Sequence, residues 1–128
     1  VTADAGYGLY DLHQSLFVLS GIPTAKHTVN DLKNALWSEI NELKTQPVTQ
    51  AELDRVKTQL IATTVYKKDS LSKQADDLGE PEMVGLSWRT SDQFVSRMES
   101  VTPLQIQVAA QLYLTTQNET IAELKPTK

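Results

Sequence analysis

Cysteine is absent from the 128 residues of this chain, which excludes disulfides, thiolate zinc sites and cysteine nucleophiles together. Histidine is nearly absent. His13 and His27 are the two in the sequence, and neither falls in H-E-x-x-H or H-x-x-E-H, the patterns that set two imidazoles and a carboxylate on one helical face. Positive charge is in the minority, with 12 Lys and Arg against 16 Asp and Glu and a net charge of -4. Phosphate backbones need a concentrated basic face, and the longest basic run is Lys67-Lys68, so nucleic acid is excluded as a partner. Long apolar runs are missing too. Leu16 to Leu19 falls far short of a membrane span, and no membrane partner is expected. No signal-peptide pattern opens the sequence, so no compartment is read from a leader.

What is present is an ordinary globular composition, with 40% hydrophobic and 22% charged residues, enough chain for one domain over residues 1–128. The first 22 residues favour β structure. Tyr7, Leu9, Leu12, Leu16, Phe17, Val18, Leu19 and Ile22 predict two strands, about 1–11 and 14–22, the second the more buried, ended by Gly21-Ile22-Pro23. Helical periodicity follows. Thr24 or Thr28 caps a helix with Val29, Leu32, Leu36, Ile40 and Leu43 along one face, and Pro47 stops it. Thr49-Gln-Ala-Glu52 reads as a capping box for a second helix that runs, with a weaker middle, to Gly79. Glu80-Pro81-Glu82 reads as a turn. Thr90-Ser-Asp-Gln93 opens a third helix and Thr102-Pro-Leu-Gln105 a fourth, with proline at the first helical position. Thr120 to Leu124 suits a closing strand. The order predicts an α+β fold, a small antiparallel sheet covered by a layer of about four helices.

The search for chemistry yields structure instead. His13 is expected near a strand turn and His27 in the first turn of a helix, as two surface histidines. Asp76-Asp77 with Glu80 and Glu82 lacks the alternating ligands and glycine of a calcium loop and reads as a solvated charge cluster. Asp54, Arg55 and Lys57 read as the polar face of the second helix. No serine lies in G-x-S-x-G. Gly6-Tyr-Gly8 is no phosphate cradle and suits a bulge or a close backbone approach. Trp37 is expected to pack along the first helix and Trp88 to staple a helix start. Asn118-Glu-Thr120 matches a glycosylation sequon, a short pattern that arises often by chance. No catalytic, cofactor-binding or metal-ligating residue is assigned.

Four blocks carry a resemblance: Pro47-Val-Thr-Gln-Ala-Glu-Leu-Asp-Arg-Val-Lys57, Val65-Tyr-Lys-Lys-Asp-Ser70, Val84-Gly-Leu-Ser-Trp88 and Val101-Thr-Pro-Leu-Gln-Ile-Gln-Val-Ala-Ala110. In that order they resemble the C-terminal, non-catalytic region of a pitrilysin/insulinase-type zinc metallopeptidase, an inverzincin similar to mitochondrial processing peptidase. The strands over Tyr7 to Ile22 fit the paired strands of that family's α+β unit, and the stretch from Val65 to Trp88 looks most like bacterial two-half subunits. The resemblance implies a partial unit of the family's fold, truncated upstream, with no cofactor of its own. For the parent protein it implies zinc, a catalytic half as partner and an extended peptide as substrate. Neither Tyr7 nor Tyr10 is assigned the role of the family's substrate-binding tyrosine. The compartment is left unassigned, the periplasm being suggested by the family resemblance alone. The rival expectation is a stand-alone interaction module or homodimer joined through the exposed sheet edge.

Overall fold

The computed structural model describes residues 2–124. In chain order it contains β1 (Thr2–Tyr7), β2 (Phe17–Ile22), α1 (Val29–Thr45), α2 (Gln50–Lys67), α3 (Leu71–Met83), α4 (Arg89–Asp92), α5 (Phe94–Ser100) and α6 (Pro103–Tyr113), then a 3-10 turn at Thr116–Asn118. The two strands pair as an antiparallel sheet, and the arrangement is α+β as expected. The chain divides into two compact units. Among the described residues, 2–6, 18–48 and 104–124 form the first, and 7–17 with 49–103 form the second.

In the first unit, α1 starts where a threonine closes a reciprocal cap. The Thr28 hydroxyl accepts the Asp31 N–H at 3.2 Å, and the Asp31 carboxylate accepts the Thr28 N–H at 2.8 Å, which satisfies two orphan donors together. These bonds hold the Asp31 carboxyl below its ordinary pKa, the Thr28 backbone donor first among the causes. A Cβ added at Gly21 would lie 2.9 Å from Leu32 Cδ2 and 3.2 Å from the Thr2 carbonyl oxygen. Glycine therefore lets α1 approach β2. At the far end of α1, the Lys44 carbonyl accepts from Gln107 Nε2 at 3.1 Å and Gln111 Nε2 at 2.7 Å. That pair, one helical turn apart on α6, satisfies a carbonyl of the last turn. Ala110, between them in sequence, is buried.

In the second unit, the expected long helix is two. The β-branched Thr63-Thr64-Val65 stretch weakens the middle, and Thr63 and Thr64 turn their hydroxyls onto the carbonyls of Gln59 and Leu60, a bond that competes with a straight helix. The chain then tightens through i→i+3 bonds at Lys68, Asp69 and Ser70. Ser70 caps α3 by accepting the Lys73 N–H. A second correction falls at Pro81, which lies inside α3 and not in a turn. Proline has no N–H for the Asp77 carbonyl four residues back. The Ser91 hydroxyl donates to that carbonyl at 2.5 Å instead, so the helix continues to Met83.

The end of α3 explains the Gly85-Leu-Ser-Trp88 block. Gly85 takes φ 80, its N–H donates to the Glu82 carbonyl at 3.1 Å, and the Leu86 N–H donates to the Pro81 carbonyl at 2.9 Å. This is a Schellman ending. The Glu82 carboxylate then accepts the Trp88 N–H at 2.7 Å at the start of α4. The expected third helix begins at Arg89, ahead of Thr90, and breaks at Gln93 into α4 and α5. Lys57 of α2 reaches the carbonyls of Glu99 and Val101 at 2.7 and 2.6 Å, tying α2 to the end of α5. α6 opens on Pro103, as its sequence predicts.

Both strands are shorter than expected, because Gly8 to Leu16 forms a connecting segment without strand pairing. The closing strand is absent over Thr120 to Leu124, which has no regular structure; Lys125 and Pro126 lie outside the described residues. Without a third strand, the sheet stays two strands wide among the described residues.

Candidate functional site

Two surfaces are candidates, and each lies mainly within one unit. The first is the sheet. Alternation along β2 puts Phe17, Leu19 and Gly21 on one side and Val18, Ser20 and Ile22 on the other. Gly21 faces Leu32 of α1, and Leu19 is half-buried on that side. The opposite side carries Val18 and Ile22 at 50% and 70% exposure. Each strand has one neighbour among the described residues, so each presents an outer row of unpaired backbone groups, the arrangement to which an extended chain adds.

The second is a concavity of about 470 Å³ in the second unit, where the segment after β1 meets α2, α3 and the start of α5. Tyr7, Tyr10 and Phe94 give it aromatic walls, with Met83 and Val84 beside them. Asp11, Asp77, Glu80 and Lys67 supply its charge. Gly8 keeps the entering segment tight: a Cβ there would meet the Asp11 carboxylate and lie 2.8 Å from the Ser15 hydroxyl. Of the Gly6-Tyr-Gly8 pair only Gly8 makes a close approach, since a Cβ at Gly6 would meet nothing within 4 Å.

The acidic run read as one solvated cluster performs several separate tasks. Asp76 pairs with Lys73 at 3.2 Å. Asp77 and Glu80 face the concavity, and Glu82 holds the start of α4. Asp54 accepts from Gln50 at 2.8 Å, as a polar helix face predicts, whereas Lys57 leaves that face for the α5 carbonyls. Trp37 is half-buried and donates its ring N–H to Glu119 at 2.7 Å, with the Lys44 ammonium 5.6 Å from its ring centre. Trp88, at the start of α4, lies 40% exposed with the Arg89 guanidinium 4.7 Å from its ring centre, a cation-π contact.

The residues present do not fit a zinc site. His13 lies in the segment after β1, and His27 precedes the Thr28 cap and so lies outside α1, a turn earlier than expected. Among the described residues, no three of His, Asp or Glu converge as metal ligands, and no helix is long and apolar enough to cross a membrane. Ser91, by contrast, had no sequence signal of its own. Its role follows from the N–H that Pro81 lacks, and it meets the Asp77 carbonyl, fourteen residues away in sequence, only through the fold.

Residues 2–60 match the Peptidase M16 inactive domain, a C-terminal non-catalytic region of pitrilysin-like peptidases. The matched stretch takes in β1, β2, α1 and α2 as far as Leu60, which includes the open-edged sheet and the Thr49 cap. The resemblance over Val65 to Ala110 lies beyond it. No curated protein matches the chain.

Proposed function

We propose that this chain, whose residues 2–60 match the inactive domain of M16 peptidases, is an accessory region of a zinc metallopeptidase that helps form a peptide-binding chamber. The observation that carries this reading is the coincidence of that match with a two-stranded sheet lacking, among the described residues, an outer neighbour on either side. In this reading one strand edge receives further strands of the parent fold, and the other is available to an extended peptide. In the same reading, zinc would be held by the catalytic half, where it would supply carbonyl polarisation and an activated water. This chain contributes surface and alignment, and holding a substrate in an attack-ready geometry is itself a large share of catalysis.

The test uses the natural full-length protein and a quenched fluorescent peptide. Chelator-sensitive cleavage by the full-length protein, with none from the isolated chain, is the expected result. Chelator-sensitive cleavage by the isolated chain would overturn the reading. The open sheet edges favour a second reading, a stand-alone module that dimerises strand to strand. A natural protein of about this chain's mass, sedimenting as a dimer, would put that reading ahead.

A further inference from the structure

We draw no further inference here: the strongest candidate, the exposed surface patch of Val65, Tyr66, Lys67 and Lys68 at the end of α2, carries nothing because nothing in the structure shows what covers it.

Discussion

The hydrogen bond from Ser91 to the Asp77 carbonyl gives a sharp test of how α3 survives its proline. Removing the hydroxyl by Ser91→Ala leaves a part-buried carbonyl without its donor. Pro81 supplies no N–H to replace it. An unsatisfied buried acceptor costs about 1–3 kcal/mol, and partial access to water favours the lower half of that range. With a urea slope of about 1.5 kcal/mol per M for a protein of this size, the unfolding midpoint should fall by about 1 M. The decisive comparison is with Pro81→Ala, which restores an N–H four residues after Asp77. In that background the carbonyl has a helical donor, and Ser91→Ala should cost less than about 0.5 kcal/mol. The cycle cancels the packing lost when the fully buried proline ring is truncated, since both backgrounds share it. Helical circular dichroism against urea for the four proteins supplies the measurement. Equal costs of Ser91→Ala in the two backgrounds would refute the reasoning.

Two further outcomes are expected. Gly85 has φ 80, and an added Cβ would meet nothing within 4 Å, so Gly85→Ala should cost about 1–2 kcal/mol from the left-handed backbone alone; thermal melting should rank Gly85→Asn between the two, and a silent Gly85→Ala would remove the Schellman ending from the account. The Asp31 carboxyl titrates lower folded than unfolded, so its contribution is present above the unfolded value and fades as pH falls through the folded one; amide exchange at the start of α1 should accelerate below about pH 4, with that dependence flattened in Asp31→Asn.

Three helix starts were legible because capping is local. Thr28, Thr49 and Pro103 each mark an N-terminus within four residues of sequence, and each does so in the structure, whereas the sequence pattern reads through the start at Ser70 as one continuous helix. The Pro81 position was misread for the converse reason. Proline normally ends a helix, and the donor that lets this one continue arrives from Ser91 in another element. Lys57 was likewise assigned to a solvated face by its helical position, yet its target carbonyls belong to the end of α5. Strand ends were overrun because Leu9, Leu12 and Leu16 look strand-forming although they lie exposed in the segment between the strands. The candidate concavity had no motif. Tyr7, Tyr10 and Asp11 reach α3 residues Asp77 and Glu80 across more than sixty positions of sequence, and no local pattern encodes such a meeting.

The distribution of exposed apolar side chains bears on which of the two functional readings is the stronger. Exposed large apolar side chains are not confined to the sheet. Val18 and Ile22 belong to β2, but Leu71 and Met83 are on α3 at 84% and 83% exposure, and Leu104 and Leu112 are on α6, each at 63%. Pairing two copies through a strand edge would cover the hairpin and leave α3 and α6 in water. Enclosure within a larger peptidase fold gives those helices neighbours as well as the strands. Alanine substitution at Leu71 and Met83 should therefore weaken assembly of the full-length protein while leaving the isolated chain as stable as before, and a matching loss of stability in the isolated chain would return those side chains to its own core.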